Sequence, residues 1–208
     1  MIFLKALVAI VLGYLIGSIP FGYLTVRLIK RKDLREVGSG STGATNVSRV
    51  LGKWGFALVS LLDIGKGVAA VLIASAIAGC PVISWVPIAA GMSSAIGHTY
   101  PVWLRFKGGK GVNTTLGAAV VVFPIGAAVS VAVFLLVALT THFVSAGSLS
   151  SGIAFLIALA IANIIGYKTP LPLWVMGFFV PTMIIFTHRD NIGRLKAGRE
   201  NPFGRENK

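Results

Sequence analysis

Long apolar stretches alternate with short polar ones along this chain, and the apolar stretches approach the length that a lipid bilayer requires. A helix needs about 20 predominantly apolar residues to cross the hydrocarbon core. Six such stretches lie at residues 4–28, 54–79, 82–100, 112–141, 143–166 and 171–187. The pattern predicts an all-α, polytopic integral membrane protein, with a single transmembrane domain over residues 1–208.

The fourth stretch is too long for one span. Residues 112–141 would form a helix of about 45 Å, whereas the hydrocarbon core is about 30 Å thick. The sequence Phe123-Pro124-Ile125-Gly126 offers a break, but it would leave two rather short halves. Length alone therefore leaves six or seven spans open.

The distribution of basic residues favours seven spans. With seven, the polar stretches 27–53, 101–110 and 188–208 lie on one face, and they carry 16 of the 19 Lys and Arg residues. Basic residues accumulate on the cytoplasmic side of membrane proteins. We therefore predict seven transmembrane helices, some of them short, with the N-terminus outside and the C-terminus in the cytoplasm.

Composition agrees with this class and excludes others. Apolar residues make up 55% of the chain and charged residues 12%, and the mean hydropathy is +0.85. So few charges exclude a soluble domain, and so much apolar surface excludes disorder. The net charge of +13 leaves two explanations besides nucleic-acid binding, which is improbable in so apolar a chain: topology, or recognition of an anionic substrate. The single Cys80 excludes an intrachain disulfide and a cysteine-cluster metal site.

The first polar stretch is rich in glycine and hydroxyl groups. Residues 37–49 contain Gly38, Gly40 and Gly43 at the spacing G-x-G-x-x-G. A dinucleotide-binding fingerprint needs a preceding strand, and a membrane helix and a basic stretch precede this one. A flexible linker is the bland alternative, but Arg49 directly after the run favours an anion site.

The second polar stretch opens the fourth apolar segment with Phe106-Lys107-Gly108-Gly109-Lys110-Gly111-Val112. Glycines that expose backbone N–H groups, two lysines and a helix N-terminus are suited to bind phosphate. Gly111 stands where a Walker A motif has Ser or Thr, so no Mg²⁺ site is implied. The alternative is an ordinary basic flank with a tight turn.

The remaining polar groups are less specific. His188 and Asn191 share a helix face and could hold a hydroxylated substrate, although a basic tail touching anionic lipid is the alternative for residues 188–200. Asp63 and Lys66, three residues apart inside the second span, are expected to pair. We expect His98 to be a hydrogen-bonded packing or positioning residue.

Together these polar stretches predict a membrane enzyme or carrier with an anionic, phosphorylated substrate at the inner face. No sequence motif suggests a metal ion or a cofactor, and no obligate protein partner is implied. A transporter of a phosphorylated metabolite is the alternative function. It should show midspan polar residues from both halves, and the only charges near the middle of a span are Asp63 and Lys66, both in one helix.

The polar stretches resemble those of the membrane-integral bacterial acyl-phosphate:glycerol-3-phosphate acyltransferases, the PlsY-type family. The matching residues are Gly38-Ser39-Gly40, Gly43-Ala44-Thr45-Asn46, Arg49, Asp63, Lys66-Gly67, Gly97-His98, Pro101, Phe106 to Val112, Val144-Ser145, Ser148, His188-Arg189, Asn191-Ile192, Arg194-Leu195, Gly198 and Glu200. Two positions depart from the family pattern: Ser41 replaces a frequent Asn, and His142 a frequent Arg.

The resemblance implies an enzyme of the bacterial inner membrane with its active site facing the cytoplasm. It would transfer a fatty acyl group from acyl-phosphate to glycerol 3-phosphate and give lysophosphatidic acid and phosphate, the first step of phospholipid synthesis. The implied catalytic residues are Ser39, Arg49, Lys110, Ser145, His188 and Asn191. The implied phosphate-binding residues are Gly40, Gly43, Asn46, Lys107, Gly108, Gly109, Gly111, Arg194 and Glu200.

The identity of the base stays open between two candidates. The phosphate of the acyl donor is our first hypothesis, and His188 is the protein alternative because histidine accepts protons near neutral pH. We expect the acyl tail to enter through a groove between helices that opens to lipid.

Overall fold

The computed structural model of this chain describes residues 2–203, and it is all-α over that range. Arg205 and Lys208, two of the basic residues counted above, lie outside the described residues. The helices are α1 (Ile2–Gly17), α2 (Phe21–Lys30), α3 (Ala44–Ala78), α4 (Trp85–Thr99), α5 (Val112–Val122), α6 (Pro124–Thr141), α7 (Val144–Ile164), α8 (Leu171–Thr187) and α9 (Arg189–Lys196). Short 3₁₀ turns at Leu34–Glu36 and Val102–Leu104 complete the secondary structure.

The chain packs as two compact units, Met1–Val122 and Phe123–Lys208. The first unit holds α1 to α5, and the second holds α6 to α9. The expectation of one domain over residues 1–208 stays a prediction.

Glycines bring the helices of the first unit into close contact. A Cβ atom on Gly13 or Gly17 of α1 would overlap the backbone of Ala90 or Ser94 in α4. Small residues allow membrane helices to approach closely enough for backbone packing.

The contact between α3 and α5 has the same basis. A Cβ atom on Gly67 would overlap the carbonyl oxygen of Thr114, and one on Gly117 would overlap the carbonyl oxygen of Ile64. The start of α5, where the second glycine-rich stretch ends, is therefore packed directly on α3.

In the second unit, α7 packs on both α6 and α8. The rings of Phe123 and Phe155 meet edge to face with their centroids 5.9 Å apart. Gly152 of α7 lies against Ile184 of α8. Helix α8 ends at Thr187, and the chain bends by 62° at His188 before α9.

The break predicted at Phe123 is confirmed, because α5 ends at Val122 and α6 begins at Pro124. Proline is well suited to a first helical position, where its missing N–H costs nothing. The first apolar stretch is also broken: α1 ends at Gly17 and α2 begins at Phe21, after Pro20.

Among the described residues, four segments are long and apolar enough to cross a membrane: Phe3–Lys30, Ala44–Ala78, Pro124–Thr141 and Val144–Ile164. The bent pair α8 and α9 would be a fifth span. Helix α5 is apolar but has only 11 residues. The count of seven spans and their orientation therefore stay predictions.

Helix α3 begins at Ala44, well before the predicted start of the second span at residue 54. It is interrupted at Gly52, whose backbone adopts φ 70° and ψ −162°. Residues 44–51 therefore form a separate helical piece, which the glycine and hydroxyl content of this region had concealed.

Candidate functional site

Asn46 organises the first glycine-rich stretch. It is 2% exposed, and its amide nitrogen donates hydrogen bonds to the carbonyl oxygens of Leu34 at 3.2 Å, Val37 at 2.9 Å and Ser41 at 2.9 Å. These bonds hold the chain from Leu34 to Ser41 against the start of α3. A buried amide used in this way holds loop geometry, which differs from the direct phosphate contact expected for Asn46.

The other end of the Asn46 amide faces two predicted catalytic residues. Its Oδ1 accepts hydrogen bonds from the Ser39 backbone N–H at 3.2 Å and from Arg49 Nη1 at 3.3 Å. Ser39 and Arg49 are both exposed. A side chain on Gly38, which has φ 56°, would overlap Arg49 and Asn46. The loop therefore brings two exposed residues, Ser39 and Arg49, to the same buried amide oxygen.

The two glycine-rich stretches lie next to each other in the first unit. The backbone N–H of Thr42 donates a 3.4 Å hydrogen bond to the carbonyl oxygen of Gly108. Sequence reasoning missed Thr42, and no side-chain signal could have identified it, because its contribution comes from the backbone.

The backbone N–H groups of Gly108 and Gly109 are used inside the fold. They donate to the carbonyl oxygens of Thr99 and His98, each at 3.1 Å. The donors left for an anion are those that any helix leaves at its start, and α5 begins at Val112. The partial positive charge of a helix N-terminus adds to the charge of Lys107, which is exposed, and of Lys110, which is half-buried.

A buried ionic cluster lies beneath this segment. Asp63 and Lys66 form the predicted pair, with Lys66 Nζ 2.8 Å from Asp63 Oδ1. Lys66 Nζ is also 2.8 Å from His98 Nδ1 and donates a 3.1 Å hydrogen bond to the carbonyl oxygen of Ile19. Both the pairing of Asp63 with Lys66 and the hydrogen-bonded position of His98 are confirmed.

In the second unit, Glu200 is the common acceptor for three of the predicted site residues. Its carboxylate accepts hydrogen bonds from Ser145 Oγ at 3.0 Å, Asn191 Nδ2 at 2.6 Å and Arg194 Nε at 2.8 Å. A carboxylate repels phosphate, so this geometry favours an orienting role for Glu200 over the phosphate contact expected from the sequence.

Those hydrogen bonds also set the ionisation of Glu200. Partial burial raises the pKa of the carboxyl group, but the hydrogen bonds from Asn191, Arg194 and Ser145 outweigh burial and lower the pKa below 4.5. Glu200 is therefore charged at neutral pH and holds the three donors in place.

His188 is buried where α8 meets α9, and its ring is fixed by the backbone. Nδ1 lies 2.9 Å from the carbonyl oxygen of Ile184. A carbonyl oxygen only accepts, so Nδ1 carries the proton and, in the neutral ring, Nε2 carries the lone pair. A nearby loop is tied down as well, because the Phe203 backbone N–H donates a 2.8 Å hydrogen bond to the carbonyl oxygen of His142.

The predicted site residues thus form one group in each unit. In the first unit, Ser39, Gly40, Gly43, Asn46 and Arg49 adjoin the stretch Lys107 to Gly111 through the Thr42 to Gly108 hydrogen bond. In the second unit, Ser145, Asn191 and Arg194 converge on Glu200. His188 directly precedes α9, the helix that carries Asn191 and Arg194.

Comparisons with known proteins find one family, and the matches cover nearly the whole chain. The family model for glycerol-3-phosphate acyltransferase matches residues 7–198. A glycerol-3-phosphate acyltransferase of Synechococcus elongatus is 41% identical over 97% of this chain and 96% of its own length. The Aquifex aeolicus glycerol-3-phosphate acyltransferase is 44% identical over 96% of this chain and its entire length.

Solved structures give the same result. The crystal structure of PlsY, an integral membrane glycerol 3-phosphate acyltransferase, in its glycerol 3-phosphate form matches with a TM-score of 0.85 and 43% identity. It covers 96% of each chain. The lysophosphatidic acid form of PlsY matches with a TM-score of 0.83 and 41% identity, covering 96% of this chain and 95% of that one.

Proposed function

This chain belongs to the glycerol-3-phosphate acyltransferase family, and on that premise we propose that it transfers a fatty acyl group from acyl-phosphate to glycerol 3-phosphate. The products are lysophosphatidic acid and inorganic phosphate, in the first step of phospholipid synthesis. One observation carries the proposal: the Thr42 to Gly108 hydrogen bond joins the loop that presents Ser39 and Arg49 to the lysine- and glycine-rich start of α5.

An acyl-phosphate donor suits the chemistry of these residues. Acyl-phosphate is a mixed anhydride with a good leaving group, so the enzyme must mainly place two anions together and stabilise the charge of the attacked carbonyl. Basic side chains and backbone N–H groups serve both purposes. A His-x-x-x-x-Asp arrangement, which another acyltransferase family uses, is absent from the sequence: the residues five after His98, His142 and His188 are Trp103, Gly147 and Gly193.

The start of α5 is proposed to hold the phosphate of the acyl donor. Lys107 and Lys110 supply charge, and the N-terminal N–H groups of α5 supply directed donors. Gly108 and Gly109 contribute by letting the chain pass close to α4, since their own N–H groups bond to Thr99 and His98.

The family resemblance assigns the binding and orientation of glycerol 3-phosphate to Ser39, Arg49, Lys110, Ser145, His188 and Asn191, and we propose the same roles for them here. Arg49 and Lys110 neutralise phosphate charge, and the hydroxyl, amide and imidazole groups hydrogen-bond the glycerol hydroxyls. Glu200 keeps Asn191 and Ser145 oriented through the hydrogen bonds described above.

The base that accepts the proton of the attacking hydroxyl is proposed to be the phosphate of the acyl donor, with His188 as the alternative. The Nδ1 hydrogen bond to Ile184 leaves the lone pair on Nε2, the atom that a histidine base would use. A His188→Gln enzyme that keeps near-normal turnover and changes only substrate affinity would assign His188 to positioning.

The proposed setting is the bacterial inner membrane, with seven spans, the N-terminus outside and the site facing the cytoplasm. The distribution of Lys and Arg along the sequence supports this orientation.

A donor test on the purified protein in detergent checks the proposal. Glycerol 3-phosphate is supplied with palmitoyl-phosphate or with palmitoyl-CoA, and lysophosphatidic acid and released phosphate are measured. We expect product from palmitoyl-phosphate alone. Product from palmitoyl-CoA would overturn the donor assignment, and folded protein that uses neither donor would overturn the activity and direct attention to transport of a phosphorylated metabolite.

A further inference from the structure

We propose that the buried cluster of Asp63, Lys66 and His98 positions the phosphate-binding segment at Gly108 and Gly109. This inference rests on the proposed function of that segment and adds three positioning residues to it. All three side chains are nearly inaccessible, at 1%, 3% and 7% exposure. They act on substrate only through the loop.

The ammonium group of Lys66 is fully used within the cluster. Three partners surround it: Asp63 Oδ1, which forms an ion pair at 2.8 Å, and two hydrogen-bond acceptors, His98 Nδ1 at 2.8 Å and the Ile19 carbonyl oxygen at 3.1 Å. The carbonyl of Ile19 lies in the break between α1 and α2, outside either helix. Lys66 therefore connects that break to α3 and α4.

Lys66 also fixes the state of the His98 ring. Nδ1 has two neighbours, Lys66 Nζ at 2.8 Å and Asp63 Oδ1 at 3.4 Å. The ammonium group is the nearer one and only donates, so we assign Nδ1 as its acceptor and place the proton of the neutral ring on Nε2. The contact with Lys66 holds the Nδ1 edge of the ring, and Nε2 lies on the opposite edge.

The Nε2 edge of His98 lies against Gly109. A Cβ atom on Gly109 would overlap Nε2 and come within 2.9 Å of both ring carbons beside it. The backbone of Gly109 is bound to the same residue, since its N–H donates a 3.1 Å hydrogen bond to the His98 carbonyl oxygen. His98 thus fixes residue 109 through both its ring and its backbone.

A larger residue at position 109 would force the His98 ring to move, and that movement costs free energy. Moving Nε2 away from position 109 would move Nδ1 away from Lys66 and leave a buried ammonium without one of its three partners. An unsatisfied buried charge is among the more costly defects in a protein. Asp63 and Lys66 therefore restrain the His98 ring in its position against Gly109.

The same stretch of α3 also fixes the far side of the segment. Gly67, next to Lys66, packs on the Thr114 carbonyl in the first turn of α5. The segment from residue 108 to the start of α5 is therefore held at both ends relative to α3. Its N-terminal donors stay aligned when substrate phosphate arrives.

A size-compensation experiment tests this arrangement. Gly109→Ala adds the atom that meets the ring. His98→Asn removes the Nε2 edge but keeps an amide oxygen near the position of Nδ1, where it can accept from Lys66. The double variant combines both changes. Gly65→Ala is the matched control. Gly65 lies on the same helix as Lys66, and a Cβ atom there meets nothing within 4 Å.

We expect Gly109→Ala to raise the KM of a phosphorylated substrate at least about tenfold, with a smaller change in kcat, and the double variant to recover most of that loss. Gly65→Ala should stay within about threefold of the unchanged enzyme, whereas His98→Asn should raise the same KM by about threefold to fivefold, because the segment loses the ring behind Gly109. KM and kcat are measured for palmitoyl-phosphate and for glycerol 3-phosphate, and the unfolding temperature of each variant is recorded in detergent. His98→Ala combined with Gly109→Ala is the contrasting pair: it frees the same space but removes an acceptor from Lys66, so it should recover less than the pair with His98→Asn.

Three results would overturn the inference: full activity of Gly109→Ala, a folded double variant as impaired as Gly109→Ala alone, or equal loss in Gly65→Ala. If the unchanged protein uses neither acyl donor, the proposed function fails by itself. The coupling is then assessed from unfolding temperatures, where Gly109→Ala should be destabilised and the double variant restored.

Discussion

Asn191 Nδ2 donates a 2.6 Å hydrogen bond to Glu200 Oε1, which ties the first turn of α9 to the segment that follows the helix. The same oxygen accepts from Ser145, and the second carboxylate oxygen accepts from Arg194. One acidic side chain thus orients three residues assigned to substrate binding. Its own exposure is low, with 7% of the side chain accessible.

Glu200→Gln should impair both stability and activity. Glutamine keeps one acceptor oxygen but turns an NH₂ group toward Arg194 Nε, where two donors then face each other. Hydrogen bonds to charged groups contribute about 1.5–3 kcal/mol, so we expect a loss of about 1–2 kcal/mol in unfolding free energy and about a tenfold drop in kcat/KM. Thermal unfolding and the acyl-transfer assay measure these.

Asp190→Asn is the control for that variant. Asp190 is an exposed acidic residue on the same helix, 4.0 Å from Arg189. Equal effects in Glu200→Gln and Asp190→Asn would mean that loss of negative charge, and not the orientation of three donors, causes the change.

Stability should fall in acid because of Glu200. The pKa of its carboxyl group in the folded state lies below 4.5, the ordinary value. A lowered folded-state pKa adds stability that is fully present above pH 4.5 and is lost as the pH falls through the folded-state pKa. The unfolding temperature measured between pH 3 and 7 should therefore drop less steeply at the acid end in Glu200→Gln. Identical profiles for the two proteins would contradict this assignment.

Asn46→Asp should collapse the first glycine-rich loop. The carboxylate removes the NH₂ group that donates to Leu34, Val37 and Ser41 and brings a negative charge against their carbonyl oxygens. We expect a loss of about 2–4 kcal/mol in unfolding free energy, since buried acceptors lose their donors. Ser48→Ala, which removes only a local bond to the Thr45 carbonyl, should have little effect on the unfolding temperature.

Arg49→Ala should separate function from stability. Arg49 is exposed, so its removal should change the unfolding temperature little, whereas loss of a phosphate-binding charge should raise the KM for glycerol 3-phosphate about tenfold or more. Arg35→Ala removes the same charge from a nearby exposed residue that pairs with Asp33. If Arg35→Ala raised KM equally, general electrostatic attraction would explain the effect and not a specific contact.

Lys66→Met should be strongly destabilising because it leaves Asp63 buried without its partner. Breaking a buried ion pair typically costs about 3–5 kcal/mol, whereas replacing both members by apolar residues is often far less harmful. We therefore expect Asp63→Leu combined with Lys66→Met to unfold at a higher temperature than Lys66→Met alone. The reverse order would show that the charges themselves support the fold.

Much of the fold is readable from hydropathy, and the exceptions have physical causes. The break at Phe123-Pro124 follows from proline chemistry and helix length. The break after Gly17 is hidden because Ser18 to Pro20 is still apolar enough to belong to the same stretch. The short helical piece at residues 44–51 is hidden because glycine and hydroxyl residues before it read as a loop.

The candidate site is predictable in composition but less so in roles. The spacing of Asp63 and Lys66 predicts their pairing, since residues three apart share a helix face. The tasks of Asn46 and Glu200 depend on which carbonyls and donors the fold brings to them from residues 3 to 55 positions away, so no local pattern reveals them. The hydrogen bond from Thr42 to Gly108 joins two backbone groups, so the residue types at these positions do not predict it.

Gly52 divides α3 into two rods that share a chain but not a helical phase. The first rod carries Asn46 and Arg49, and its orientation is set by the loop that it organises. The second rod carries Asp63 and Lys66 and is set by packing on α5. Spanning helices tilt as bilayer thickness changes, and the dihedral angles of one residue can absorb such a tilt. A joint at Gly52 would let the second rod follow the bilayer while the first rod and the loop around Asn46 keep their orientation.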